Sequence, residues 1–378
     1  MTNSLSLRPV DKKVSPAVAL LKYRNSKAPV TFLLTTRCDL ACEHCYVPKP
    51  ATPLDLDPDI ARAAIAELRG LERLYFSGGE PFRYLAGREG HEQIFMELVR
   101  QAAENVGRLY IDTNGMFLPL DQQEAIEALA RFPKNTSFML SADGYHAAAA
   151  AKRGRSLQQM IATMEAACAA NGLELEYNAR QINRGYSKAE VVQGLRREFG
   201  IDPARKIHLN SVLTQGEATK LAGAKPLSYE DFIDHAAKKI LSIGLFVTFK
   251  GLVISGEHAA CLENPPAYAV AGDLNRATLT RVLWDSLKGQ ARYLTHGPHY
   301  YRLDLEKLET IFKPEDAKKI MKQILTESDG PGADELELSS PPPDQPVIWE
   351  SRPQTKDKGP ILNNLLRKGG KLLRKFLK

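Results

Sequence analysis

Three cysteines fall within eight residues, spaced Cys-x3-Cys-x2-Cys in Arg37-Cys38-Asp39-Leu40-Ala41-Cys42-Glu43-His44-Cys45-Tyr46. Thiolates this close can ligate three irons of a cubane cluster and leave the fourth iron without a protein ligand. An open metal position is where a substrate or cofactor binds, so an incomplete ligand set points to catalysis more than to structure. The alternative is a structural zinc site with His44 as fourth ligand. Zinc sites usually draw on two separated ligand pairs, and His44 adjoins Cys45, an awkward bite. Further along stands Tyr75-Phe76-Ser77-Gly78-Gly79-Glu80-Pro81. Two glycines let a backbone approach a ligand closely, and a carboxylate beside them can bind an ammonium group. Alone, Gly-Gly-Glu-Pro is only a turn before a helix.

The elements that must position these groups alternate along the chain. Strand-like apolar runs are Pro29–Thr36, Arg73–Ser77, Arg108–Asp112, Ser137–Ser141, Leu173–Asn178 and Lys206–Val212. Amphipathic segments lie between them: one from Asp57-Pro58, an N-cap followed by proline, to Gly70, then Glu92–Ala103, Gln122–Arg131, Ser156–Ala170 and Lys188–Phe199. The runs Ala147–Ala151 and Ala166–Ala170 read as helix filler. Such alternation predicts an α/β fold with a parallel sheet, its reactive groups at the C-terminal ends of the strands. The cysteines follow the first strand and the Gly-Gly-Glu segment follows the second.

From about Ser228 the pattern changes to a helix over Tyr229–Ser242, a strand-like Leu245–Ile254, a loop around Cys261 and a helix near Thr278–Lys288. This predicts a second, smaller unit. The stretch 327–359 is acidic and rich in Pro, Gly and Ser, and reads as an extended linker. In the last segment Ile361, Leu362, Leu365, Leu366, Leu372, Leu373, Phe376 and Leu377 fall within a sector of about 160° on a helical wheel. Arg367, Lys368, Lys371, Arg374, Lys375 and Lys378 lie opposite. A cationic amphipathic helix of this kind suits a membrane surface, the body of this same chain or an acidic partner helix, and Gly369-Gly370 weakens it by roughly 2 kcal/mol.

The chain has 378 residues, 43% hydrophobic and 25% charged, enough to build a sizeable core. Its formal charge of +6 invites a nucleic-acid reading. All of that excess lies in the six basic residues after Pro360, and residues 1–359 are formally neutral, so no nucleic-acid partner is expected. Five cysteines (38, 42, 45, 168 and 261) with three clustered do not form a disulfide framework. No apolar run reaches the ~18 residues of a spanning helix, and Met1–Lys27 lacks the apolar core of a signal peptide. The expected compartment is the cytoplasm, peripheral at the inner membrane surface where the tail engages lipid.

Together, the cysteine loop after one strand and Gly78–Pro81 after the next resemble the radical S-adenosylmethionine (radical SAM) superfamily. The resemblance extends over about residues 28–290 and is to the branch with a SPASM or twitch-type C-terminal extension. It implies a partial (β/α)6 TIM-like barrel with a small α+β extension, to which the tail pattern adds the amphipathic C-terminal helix. The corresponding segments are 1–27, a core barrel over 28–215, an accessory region over 216–326, the linker 327–359 and the helix 360–378. It also implies one [4Fe-4S] cluster on Cys38, Cys42 and Cys45, with S-adenosyl-L-methionine chelating the fourth iron. His44 matches the aromatic position that lies against the adenine, and Ser77, Gly78, Gly79 and Glu80 match the segment that holds the methionine amino group. Asp112-Thr113-Asn114-Gly115 resembles the family's Thr-Asn-Gly turn. Ser141 and Asp143, in Ser141-Ala142-Asp143-Gly144, resemble the hydroxyl and carboxylate that face ribose and methionine. Arg153, with Arg155 as the competing match, resembles the arginine that reaches the methionine carboxylate. Leu209–Glu217 resembles the sixth-strand segment near the adenine.

The activity implied is reductive cleavage of S-adenosylmethionine to a 5′-deoxyadenosyl radical that abstracts hydrogen from a peptide or small biosynthetic metabolite, with a flavodoxin or ferredoxin as electron donor. The chain departs from the pattern downstream of Cys261, where no further cysteine occurs, so the extension is read as cluster-free. Cys261 is then either a buried small residue or a hydrogen-atom donor, the catalytic role it would have in a radical epimerase or dehydrogenase of a sugar or peptide. A non-catalytic iron–sulfur or zinc-binding regulator is the reading outside the enzyme class.

Overall fold

The computed structural model describes residues 14–24, 29–181, 187–211, 217, 245–255, 265, 270–285, 313–315 and 317–318. Six strands pair in parallel in sequence order: β1 (Val30–Thr35), β2 (Leu71–Gly78), β3 (Val106–Thr113), β4 (Thr136–Ser141), β5 (Glu174–Gln181) and β6 (Ile207–Ser211). These are the six expected runs, with ends shifted by a few residues. Between them lie α2 (Pro58–Ala66), α3 (His91–Asn105), α4 (Gln122–Ala130), α5 (Gly144–Ala151), α6 (Leu157–Asn171) and α7 (Lys188–Phe199), and α1 (Pro16–Arg24) precedes the sheet. The arrangement is a mixed α/β fold on a parallel sheet, as the partial TIM-like barrel requires.

Local chemistry sets the helix ends. Asp57 caps α2 by accepting from the amides of Asp59 (2.9 Å) and Ile60 (3.2 Å), and Pro58 supplies the first helical residue. Ser187 and Glu190 form a reciprocal capping box at the start of α7. On the helix side of the sheet, Phe32, Leu34, Leu74, Phe76, Leu109, Ile111, Phe138, Leu140 and Tyr177 are all fully buried and belong to one core with the helices. Each such side chain contributes about 1.5–3 kcal/mol. The alternate residues of the same strands face the other way. They are largely polar: Tyr75, Ser77, Tyr110, Asp112, Ser141, Glu176, Asn178 and Arg180.

The segment expected as a separate unit extends this sheet. β7 (Leu245–Val247) pairs in parallel with β1, and β8 (Leu252–Ser255) and β9 (Val270–Asp273) follow antiparallel, giving the order β6-β5-β4-β3-β2-β1-β7-β8-β9. The single strand expected over Leu245–Ile254 is thus a hairpin. Its turn passes through Gly251 at φ +77°, a conformation that favours glycine. A helix over 279–285 is anchored to α2, because Glu67 accepts from the amides of Leu279 (2.9 Å) and Thr280 (2.8 Å). The expected helix Tyr229–Ser242, Cys261, the linker 327–359 and the helix 360–378 lie outside the described residues. Among the described residues no helix is long and apolar enough to cross a membrane.

Candidate active site

The cysteines occupy an excursion that leaves β1 and returns to it. At its base Thr36 N donates to Leu54 O (2.8 Å), Leu56 N donates to Leu34 O (2.8 Å), and Arg37 Nε pairs with Asp55 Oδ2 at 3.0 Å. Asp55 also accepts from Thr35 Oγ1, so one carboxylate closes both sides of the loop. Asp39 pairs with Arg83 in the turn after β2 and ties the outward limb down. Within the loop Cys45 N donates to Cys42 O at 3.2 Å, which closes a turn between the two cysteines. Cys42 is buried and Cys38 and Cys45 are half-buried, in an apolar pocket with Leu40, Met116 and Ala149. Burial pushes the Cys38 thiol up to about 12, helped by the Glu80 carboxylate, and burial also raises Cys45.

The glycines after β2 serve this loop directly. Gly79 N donates to Thr35 O and Glu80 N to Arg37 O, both at 2.7 Å. A Cβ at Gly79 would sit 2.1 Å from Arg37 O, and one at Gly78 would sit 2.6 Å from Thr35 O. The close approach expected of the two glycines is therefore made to the cysteine-loop backbone. Glu80 is fully buried between strands: Oε1 accepts from Thr113 Oγ1 (3.0 Å) and Phe82 N (3.3 Å), and Oε2 accepts from Asn114 N (2.8 Å). Burial raises this carboxyl to about 7 despite those three donors. Asn114 then continues to the cysteines, with its Nδ2 3.5 Å from Cys38 Sγ. Ser77, the last side chain before the glycines, is buried at the end of β2.

The third side of the site is the start of α5. Asp143 follows β4 and caps the helix by accepting from His146 N at 2.9 Å, while its other oxygen accepts from Arg180 N on β5 at 3.0 Å. His44, four per cent exposed, lies with Nε2 3.8 Å from Asp143 and its ring 4.7 Å from the rings of Tyr145 and His146. Burial lowers His44 to about 4, so it is neutral at ordinary pH. His146 is half-buried, and its pairing with Asp143 at 3.0 Å outweighs the desolvation and raises its pKa, while the same pairing holds Asp143 low. Ligand atoms of His44, Asp143 and His146 all lie within 4.8 Å of one another.

Residues 32–219 match the family described as the radical SAM superfamily. The chain belongs to the radical SAM superfamily. Over 133 residues it is 29% identical to "Putative protein YfkA" of Bacillus subtilis (strain 168), a match covering 33% of this chain and 35% of that relative's own length. Similar solved structures include anSMEcpe with bound AdoMet (15% identity, 68% of this chain and 77% of that one, TM-score 0.44). Streptococcus suis SuiB bound to precursor peptide SuiA is another (13% identity, 70% and 66%, TM-score 0.46), as is methylornithine synthase (16%, 62% and 68%, TM-score 0.37). All three TM-scores lie below 0.5, too low to bear on substrate.

Radical SAM enzymes use a [4Fe-4S] cluster and S-adenosylmethionine, and the donor set here fits both. Cys38, Cys42 and Cys45 are free thiols in one apolar pocket. The Cys38 sulfur is approached by Leu40 N (3.4 Å) and Asn114 Nδ2 (3.5 Å), donors suited to a metal-bound, anionic sulfur. Nδ1 of His44 is buried without a hydrogen-bond partner among the described residues, as a ring facing a ligand would be.

Of the residues singled out in the sequence, the structure brings Cys38, Cys42, Cys45, His44, Gly79, Glu80, Asn114 and Asp143 into one connected network. Ser141, half-buried at the end of β4, stands two residues before Asp143. Arg153 is exposed, whereas Arg155 is half-buried with Nη2 directed at the carbonyls of Met116 (3.4 Å) and Leu118 (3.2 Å), just after the Asn114 turn. Sequence reasoning passed over His146. The available signal was its place three residues after Asp143, one helical turn along.

Proposed function

We propose that this radical SAM enzyme removes a hydrogen atom from a polar peptide or small biosynthetic metabolite held against the sheet face that carries its polar side chains. The supporting observation is that the cysteine loop, Glu80, Asn114 and Asp143 gather at the C-terminal ends of β1–β4, on the rim of that face. Bound there, the cluster and S-adenosylmethionine supply one-electron cleavage of a sulfonium bond and hydrogen-atom abstraction. The protein's part is positioning. Glu80 locks the ends of β2 and β3 together, Asp143 locks α5 to β5, and the loop base holds the three thiols in place.

The face below the rim is built for polar contacts. Tyr75 stacks on Tyr110 (centroids 4.6 Å apart), Asn210 Nδ2 donates to Asn178 Oδ1 (2.8 Å), and Glu176 pairs with Lys206 (3.3 Å) and His208. The Arg180 guanidinium lies 4.8 Å from the Tyr46 ring, just past the third cysteine. Such a lining favours a substrate rich in amide, hydroxyl or charged groups over an apolar one.

The test is anaerobic reconstitution of the full chain with iron and sulfide, then dithionite and S-adenosylmethionine, with 5′-deoxyadenosine measured by chromatography. Turnover supports the enzyme; a loaded cluster yielding no 5′-deoxyadenosine would make this a non-catalytic iron–sulfur protein. In this reading a flavodoxin or ferredoxin is the physiological reductant, residues 216–326 form a twitch-like accessory region, and residues 361–378 carry the enzyme to an anionic membrane surface. Liposome co-sedimentation of a chain ending at Asp357 tests the last point, and binding equal to the full chain rejects it.

A further inference from the structure

β6 carries an imidazole that the framework of the site does not use. Ile207 is buried in the core on the helix side and Leu209 packs against it, so His208 between them stands on the polar face of the sheet. Its Nε2 bonds Glu176 Oε2 on β5, and Lys206 Nζ donates to the same oxygen at 3.3 Å. Burial alone would raise the Glu176 carboxyl, but His208 and Lys206 outweigh it and hold the group below its ordinary value, so it is a carboxylate and only accepts. The bond between the two therefore puts a proton on Nε2 of His208 and, in the neutral ring, leaves Nδ1 as an acceptor. Among the described residues Nδ1 has no hydrogen-bond partner, and the side chain is 30% exposed, so it can be reached. The neighbouring amides are turned to each other, with Asn210 Nδ2 donating to Asn178 Oδ1 at 2.8 Å. Ser141 is in register with Asn178, and Asn178 with His208. The imidazole is thus level with Ser141 two strands away, about 10 Å across the face.

We propose that His208, held by Glu176, binds the substrate: its Nδ1 accepts a hydrogen bond from a hydroxyl or N–H group of the molecule lying against the polar face. The proposal rests on the reading that the substrate occupies that face. A carboxylate behind an imidazole fixes both the tautomer and the direction of the ring, so that one defined nitrogen meets the ligand. Lys206 already supplies Glu176 with a cation, so charge balance does not require the imidazole as well. The contact selects by donor. A substrate that presents a methyl group or an ether oxygen here leaves Nδ1 unpaired and is bound less well than one that presents a hydroxyl, amine or amide. Glu176 is the positioning residue of the pair.

The experiment gives the full-length, cluster-loaded protein S-adenosylmethionine, dithionite and a peptide-and-metabolite extract of its source organism grown in deuterated medium. Abstraction from any component then appears as deuterium in 5′-deoxyadenosine. The deuterated fraction, read by mass spectrometry, is normalised to the amount of cofactor cleaved. His208→Phe, which keeps a ring without an acceptor, should lower that fraction about tenfold. His208→Asn, whose amide oxygen can stand in for Nδ1, should restore most of it. Where the phenylalanine variant does not fold, His208→Leu takes its place. In metal-free protein labelled at histidine, proton–nitrogen correlation spectra should show the His208 ring as the Nε2–H tautomer, and Glu176→Leu should abolish that preference. A deuterated fraction equal in wild type and the phenylalanine or leucine variant, or an Nδ1–H tautomer in wild type, would overturn the role of His208 and leave the hydrogen-abstraction reading standing. Equal losses in the phenylalanine and asparagine variants would assign His208 to packing instead. Wild type that forms 5′-deoxyadenosine without deuterium would overturn the substrate reading and this one with it.

Discussion

Replacing Gly79 by alanine adds one methyl group at the tightest backbone crossing of the site. Its Cβ would lie 2.1 Å from Arg37 O, 2.8 Å from Arg37 C and 2.9 Å from Thr36 C. An ordinary carbon–oxygen contact is about 3.3 Å, so the two segments must separate by about 1 Å. The obstacle is main chain on both sides, and no side-chain rotation relieves it. Separation breaks or stretches the bonds from Gly79 N to Thr35 O and from Glu80 N to Arg37 O, both 2.7 Å. At about 1 kcal/mol for each bond, plus roughly 1–3 kcal/mol for overpacking, the expected loss is about 3–5 kcal/mol. For a domain of this size that lowers the melting temperature by roughly 10 °C. The displaced residue, Arg37, immediately precedes Cys38, so iron loading should fall as well. The assay is thermal unfolding of the metal-free protein, with iron content after anaerobic reconstitution. Gly194→Ala is the control: it lies within α7 with nothing within 4 Å of the added carbon and should stabilise by up to ~1 kcal/mol. A Gly79→Ala protein with wild-type melting temperature and iron content refutes the reasoning.

Glu80, fully buried and raised from 4.5 to about 7, makes the metal-free protein's stability depend on pH. A raised carboxyl favours folding below its unfolded pKa and loses that contribution as pH climbs through the folded value. Relative to Glu80→Gln, wild type should therefore lose up to about 3 kcal/mol between pH 4.5 and 8 in urea denaturation; a difference that does not change with pH rejects the account. Cys42→Ala should sharply reduce iron and sulfide in the reconstituted protein, whereas Cys168→Ala, buried within α6, should leave both at the wild-type level. Equal loss in the two variants would mean that the loop alone does not hold the metal. Arg155→Ala should cost about 1–3 kcal/mol in thermal denaturation, because it removes the bridge to the Met116 and Leu118 carbonyls. Arg153→Ala, at an exposed position, should stay within about 0.5 kcal/mol of wild type.

The six parallel strands were legible because each is a short apolar run bounded by turn residues, and the first helix between them begins at a recognisable cap, Asp57-Pro58. The α1 helix was not read. Its signal, Ser15 before Pro16, is real, and Ser15 Oγ does accept from Val18 N at 3.3 Å, but the segment Pro16–Arg24 lacks clear periodicity. The hairpin over Leu245–Ser255 was read as one strand because Phe249 is as apolar as its neighbours, and only Lys250-Gly251 marks the turn. At the site, residue types and local spacing made the thiols and Glu80 stand out, and the family resemblance added Asn114 and Asp143. What remained hidden is long-range. Glu80 bonds Thr113 and Asn114 across 33 and 34 residues of chain, and Asn114 reaches Cys38 across 76. Likewise, the bridge from Arg155 to the Met116 and Leu118 carbonyls spans 39 and 37 residues of chain, which no local pattern announces.

The pairing of β7 with β1 has a consequence for how this protein can be taken apart. β1 reads Val-Thr-Phe-Leu-Leu-Thr, buried at every position, and Val30, Thr31 and Phe32 stand in register with Leu245, Phe246 and Val247. A chain cut back to β1–β6 would leave this strand as a bare sheet edge. It would present an unpaired row of amides and carbonyls on an uncharged, β-branched and aromatic sequence, the kind of template on which copies assemble. The accessory strands thus cover an edge that would otherwise be open to pairing, and a shortened chain that keeps them is expected to self-associate less than one that lacks them.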